Sequence, residues 1–165
     1  HTVLVSPSGL VTVTGGKWTT YRAMAEDVLG KCMADALLPH RPGGATLKQL
    51  LVGANAGASN PHPLSQASDL SAYGSEAAAV EALPGAGRQL AGGLTEAMVR
   101  FAVRHEYART VEDVLARRVR LLFLDARLAG SLAAAVGAIV AEETGCDPEI
   151  AAFEALAAKY LHLPA

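Results

Sequence analysis

The chain has 165 residues, is 51% hydrophobic but only 5% aromatic, and carries a formal net charge of −2. That length holds one good core, or a domain plus a fragment, and an alanine-rich, aromatic-poor composition favours closely packed helices over a sheet sandwich. The charge excludes a global basic field for nucleic acid, and no uncharged apolar run of about twenty residues is present to cross a bilayer.

The first residues, His1 to Val5, alternate weakly and read as an edge strand, and Ser6-Pro7-Ser8-Gly9 reads as a turn. Leu10 to Thr14 is short and β-branched, a strand candidate that Gly15-Gly16 breaks. Thr19 and Thr20 are good caps for a helix expected from about Thr19 to Leu38. Tyr21, Met24, Ala25, Val28, Cys32 and Ala36 form its core-facing stripe, with Glu26, Asp27, Lys31 and Asp35 on the solvated side. A strand, two glycines, a lysine and a helix start make a cradle for an anion or cofactor: the backbone approaches closely, free amides point outward and Lys17 adds a charge. It is not a Walker-type loop, since Val11 and Trp18 stand where a glycine and a Ser or Thr belong, and it lacks the Gly-x-Gly-x-x-Gly fingerprint. A plain strand-to-helix turn with an exposed lysine fits the same residues.

Pro39 to Gly44 is a linker by composition. Leu47, Leu50, Leu51 and Val52 offer a small apolar cluster, Gly53 to Pro63 reads as loop, and His62 is a loop residue rather than a ligand. Short helices are expected over about 65–73 and 75–83, separated by Gly74. Gly85 to Gly93 reads as a plain connection. Thr95 caps the next helix, whose buried face is Met98, Val99, Ala102, Val103 and Tyr107. Thr110 and Asp113 resemble a capping box, and Leu115, Val119 and Leu122 continue the apolar side. Asp125 caps a long helix to about Thr144, with Leu128, Leu132, Ala135, Val136 and Ile139 inward and Gly145 as the stop. Asp147-Pro148 starts a last helix, with the proline in its first turn, running to about Leu161.

Most of the arginines fall between Thr95 and Arg127, where acids interleave at helical spacing. We read this as an ion-pair network that fixes helix packing, with Glu106 and Asp113 as acceptors for Arg117 or Arg118, and not as a nucleic-acid patch. Adjacent His105, Glu106 and Tyr107 point in different directions and do not form a site by themselves. Cys32 and Cys146 are expected to be reduced thiols, and no metal site is expected.

The run Gly9-Leu10-Val11-Thr12-Val13-Thr14-Gly15-Gly16-Lys17-Trp18-Thr19-Thr20-Tyr21-Arg22, continued by Ala25-Glu26-Asp27, resembles a segment of the FAD-dependent glycerol-3-phosphate dehydrogenases. A second block, Thr95 to Ala108 and then Thr110 to Leu121, is similar to the helical C-terminal domain of the same family. The resemblance implies a mainly α chain: a multi-helix orthogonal bundle over 41–165, after a short strand-turn-helix arm over 1–40 left from the FAD-binding domain. It implies oxidation of sn-glycerol 3-phosphate to dihydroxyacetone phosphate, with FAD as hydride acceptor and a membrane quinone as electron acceptor; an oxygen-using oxidase shares these motifs. Lys17 would then be the catalytic cation, and Gly15, Gly16, Lys17, Trp18 and Thr19 the cofactor contacts. The expected partners are the rest of the FAD domain, glycerol 3-phosphate and quinone, with a homodimer and peripheral contact at the inner face of the cell membrane as further expectations for a cytoplasmic protein. With the resemblance, a start at His1 implies a C-terminal piece that lacks the dinucleotide fingerprint and an upstream substrate arginine. Such a piece is expected to be inactive and not to retain FAD. The alternative is a helical interaction module for dimerisation or membrane-surface contact.

Overall fold

The computed structural model describes residues 1–54 and 69–162. The chain divides into two compact units, His1–Leu50 and Leu51–Ala165.

In the first unit, β1 (Thr2–Val5) and β2 (Val11–Thr14) pair antiparallel, Thr2 opposite Thr14 and Val5 opposite Val11. Ser6 makes the turn: its carbonyl accepts from the Gly9 amide at 2.9 Å and its hydroxyl from the Leu10 amide at 3.1 Å. A 3-10 turn over Trp18–Thr20 leads into α1 (Tyr21–Ala34). The helix ends four residues earlier than its composition suggests. The amides of Leu37 and Leu38 fold back onto the Cys32 carbonyl, and Ala36 adopts a left-handed φ of 58°. Met24, Val28 and Cys32 hold the inward stripe, while Tyr21, Ala25 and Ala36 are exposed. Glu26, expected in solvent, is half-buried because its carboxylate accepts the Gly44 amide at 2.7 Å and pairs with Arg22 at 2.9 Å. Leu47, Leu50, Leu51 and Val52 are all exposed and make no apolar cluster.

The second unit carries the core. A 3-10 segment, Leu70–Glu76, kinks at Gly74 and runs into α2 (Ala77–Glu81). Of the helix expected over 65–73, residues 65–68 lie outside the described residues, as does His62. The stretch read as a plain loop contains β3 (Gln89–Ala91), which pairs with β4 (Leu94–Thr95). Three residues are too few for alternation to signal a strand.

Next come α3 (Glu96–His105), a π-helix over Asp113–Arg118, α4 (Leu121–Leu124), α5 (Ala126–Thr144) and α6 (Ile150–Tyr160). The caps stand where side-chain chemistry puts them. Thr95 Oγ1 accepts the Met98 amide, Asp125 Oδ1 accepts the Leu128 amide at 2.9 Å, and Gly145 closes α5 at φ 68°. Thr110 and Asp113 satisfy each other's backbone amides at 3.1 and 3.2 Å, a reciprocal capping box. Pro148 does not sit in the first turn of α6. Asp147 Oδ1 accepts the Glu149 amide, Glu149 takes a left-handed φ of 59°, and the helix starts at Ile150.

The core draws on Met98, Val99, Phe101, Leu115, Val136 and Phe153, among others. Tyr107, expected on the buried face of α3, is 82% exposed; the chain leaves the helix at Glu106 and Tyr107 turns left-handed at φ 60°. α5 and α6 form an antiparallel pair through small residues: a methyl on Gly130 would touch Ala157, and one on Gly137 would stand 2.6 Å from Ile150. The chain is mainly helical: the first unit is a two-stranded sheet followed by one helix, and the second is a helical bundle with a small two-stranded sheet. No helix among the described residues is long and apolar enough to cross a membrane.

Candidate functional site

The loop after β2 is shaped by backbone, not by side chains. Gly15 and Gly16 both lie at positive φ, 75° and 96°, which costs glycine little and other residues much. Lys17 then returns to extended backbone. Its carbonyl accepts from the Thr20 amide and hydroxyl, both at 2.9 Å, which closes the 3-10 turn. Gly15, Gly16, Lys17, Trp18 and Thr19 are all exposed; Trp18 is 86% exposed and stacks on Tyr21 at 5.6 Å. No acidic residue occupies the first turn of α1, and Thr20 makes no side-chain cap. The Tyr21 amide donates to the Trp18 carbonyl, so the 3-10 turn runs straight into α1, and the exposed Lys17 stands at its start.

A second constellation, which the sequence reading did not single out, lies in the other unit. Arg100 is buried on α3 and reaches three carboxylates: Glu96 at 2.5 Å, Glu143 at 2.5 Å and Glu142 at 2.9 Å. Arg88 adds a contact to Glu96 at 2.7 Å, and Arg104 grips Glu143 with two bonds of 2.7 Å. Hydrogen bonds from Arg104 and Arg100 hold the Glu143 carboxyl down to about 2, against the cost of its burial. Those from Arg100 and Arg88 likewise hold Glu96 below the usual carboxylate range. Every charge here has a partner, so the cluster locks α3 to the end of α5 and offers no free catalytic group. Sequence spacing shows the Glu96–Arg100 pair at i, i+4; the partners 42 and 43 residues away carry no local signal.

The expected pairs on the π-helix are present. Arg117 reaches Asp113 at 2.5 Å and Glu112 at 2.7 Å, and Arg118 binds the Glu106 main-chain oxygen and lies 3.7 Å from its carboxylate. His105 packs on Phe101, while Tyr107 points away, so this trio does not converge. Glu106 Oε2 is buried without a hydrogen-bond donor, and burial pushes its carboxyl up, against the pull of Arg118. A raised carboxyl pKa means that the folded state binds the proton more tightly than the unfolded state, so Glu106 erodes stability as pH rises past about 4.5. Glu106→Gln is expected to melt at or above the wild-type temperature at pH 7, with the difference shrinking toward pH 4; a melting series across that range checks it.

The family model for the C-terminal domain of alpha-glycerophosphate oxidase matches residues 41–151. The chain belongs to that family. Relatives of this alpha-glycerophosphate oxidase C-terminal domain chain include the mitochondrial glycerol-3-phosphate dehydrogenase of Arabidopsis thaliana, 35% identical over 87% of this chain and 27% of the relative. The mitochondrial enzyme of Schizosaccharomyces pombe is 34% identical over 89% of this chain and 29% of its own length. Glycerol-3-phosphate dehydrogenase 1 of Mycobacterium tuberculosis is 42% identical over 73% of this chain and 25% of its own. The chain therefore spans between a quarter and a third of the length of these relatives. No solved structure matches it.

Proposed function

We propose that this chain is the C-terminal part of an FAD-dependent glycerol-3-phosphate dehydrogenase that converts sn-glycerol 3-phosphate to dihydroxyacetone phosphate and passes the electrons to a quinone. Residues 1–40 belong in this reading to the FAD-binding domain and residues 41–165 to a helical domain that supports it. The observation that carries it is the exposed Gly15-Gly16-Lys17 loop between β2 and the 3-10 turn that leads into α1, in a chain of this family.

The residues present fit the cofactor in kind. The exposed Lys17 ammonium suits an electron-rich carbonyl or a phosphate, and Gly15 and Gly16 carry no side chain to stand between the loop and a ligand. Bound FAD supplies the two-electron acceptor for oxidation of the substrate's secondary alcohol. Gly15, Gly16, Trp18 and Thr19 would hold the cofactor through their backbone. Lys17 places its Nζ charge where negative charge grows during the reaction, or draws in the substrate phosphate.

The first unit also favours a missing partner. Leu4, Leu10, Trp18, Tyr21, Leu29 and Leu38 are exposed, and Cys32 alone is buried among its residues. This apolar surface meets the rest of the FAD domain, so the isolated chain neither retains FAD nor turns over.

The test is flavin absorbance and glycerol 3-phosphate oxidation with a dye acceptor, on the full-length parent and its Lys17→Ala variant. The parent is expected to be yellow and active, and the variant to lose about tenfold or more in rate, roughly 1.4 kcal/mol of transition-state stabilisation. A parent without flavin overturns the proposal, as does stoichiometric flavin held by the isolated chain for its inactivity.

A second reading rests on the end of the bundle where α4, the start of α5 and the end of α6 meet. Phe123 and Tyr160 form an exposed edge-to-face pair at 5.6 Å, with Leu124 and Leu161 also exposed. Arg127 and Lys159 are exposed at the same end. An aromatic pair rimmed by cations favours contact with a second copy or an anionic membrane surface. Arg117 and Arg118, engaged with acids, do not.

A further inference from the structure

The Gly15–Lys17 loop is held from behind by two residues that do not belong to it. A methyl group on Gly16 would stand 2.5 Å from Met24 Sδ and 3.2 Å from His1 Cβ, and one on Gly15 would stand 3.6 Å from His1 Cα. The loop backbone is therefore wedged between the start of β1 and the first turn of α1. His1 does not end at that contact. Its Nε2 lies 2.8 Å from Asp27 Oδ2, and its side chain is only 22% exposed. One side chain thus touches the loop with its Cβ and the helix with its ring. Asp27 and Met24 are three apart on α1, so both face the loop side of the helix.

We infer that His1, Met24 and Asp27 form a positioning seat for Lys17: the His1–Asp27 bond fixes the distance between β1 and α1, and Met24 fills the space behind Gly16. None of the three needs to touch substrate or cofactor. Their effect runs through the backbone, which sets where an exposed, flexible lysine begins. Displacing that origin by a fraction of an ångström moves a catalytic charge off its geometry, and small misplacements are costly in rate. A partly exposed imidazole–carboxylate contact contributes little to stability, so its loss tells on geometry before it tells on folding. The inference rests on the reading of Lys17 as the catalytic cation.

The experiment is a double-mutant cycle on Lys17 and Asp27 in the full-length parent, reading kcat, KM and the melting temperature. Asp27→Ala alone is expected to lower kcat about three- to fivefold with KM little changed, and to melt within about 2 °C of the parent. Asp27→Asn, which keeps an acceptor for His1, is expected to recover most of that loss. In the Lys17→Ala background, Asp27→Ala is expected to do nothing further, because the group it positions is gone. Equal losses in both backgrounds, or full activity of Asp27→Ala, overturn the seat while leaving the Lys17 reading intact. An unaffected Lys17→Ala variant overturns the Lys17 reading and the seat with it.

Discussion

Arg100→Met is expected to destabilise the chain by about 3–5 kcal/mol, the usual consequence of removing one partner from a buried ionic cluster. Glu96 keeps only Arg88 and Glu143 keeps only Arg104, both of whose side chains are substantially exposed, while the two carboxylates stay 9% exposed. Chemical denaturation should show this as a lower midpoint with an unchanged slope. The pH dependence separates lost charge pairing from lost packing. Glu143 titrates at about 2 when folded and about 4.5 when unfolded, so its contribution is complete above about 4.5 and disappears as pH falls toward 2. That shift is on the order of 3 kcal/mol. Asp113 and Glu96 are also held low and act in the same direction: Asp113 overcomes its own burial through the Arg109 amide and Arg117, and Glu96 through Arg100 and Arg88. The wild-type chain should therefore lose stability steeply in acid. Arg100→Met should start lower and fall less. An equal acid slope in both proteins would mean that Arg100 packs but does not hold the carboxylates.

Phe153→Ala is expected to cost a similar 3–5 kcal/mol for a different reason. Phe153 is 2% exposed and is among the largest side chains that α6 inserts into the core. Its neighbours cannot close the gap by approaching, because α5 and α6 already meet through Gly130 against Ala157 and Gly137 against Ile150. A cavity at such a crossing stays open, and the transfer and cavity costs add. The thermal midpoint should fall by roughly 10–25 °C, and Phe153→Leu should fall much less. A small shift for the alanine variant would show that the helix pair relaxes around the void.

The parts of this fold that could be read from the sequence are those decided within about one turn. Thr95, Asp125 and Gly145 cap or stop helices through their own side chain or backbone freedom, and Thr110 with Asp113 does so as a pair. Arg117 finds Asp113 four residues away for the same reason. What stayed hidden depends on distant partners. Glu96 looks like a helix-dipole acid at the start of α3 and is a buried acceptor for Arg88 and Arg100. Tyr107 has the spacing of a core residue, but the helix ends two residues too early, at His105, for the spacing to apply. At the candidate site, where a plain strand-to-helix turn fits the same residues, the glycines and Lys17 stand out in sequence. The support behind them does not: His1 and Asp27 are 26 residues apart, and nothing local joins them.

The π-helix over Asp113–Arg118 is closed by the Val119 amide on the Val114 carbonyl at 3.0 Å, five residues back. Such a segment is in effect an α-helix carrying one surplus residue. Removing a residue there would restore ordinary spacing and rotate everything that follows by about 100° relative to what precedes it. Arg118 would swing away from Glu106, and Val119 and Leu122 would leave the core. Over generations this stretch can exchange one surface side chain for another, but an insertion or deletion within it would need a matching change elsewhere. Its length is constrained more tightly than the identity of its surface side chains.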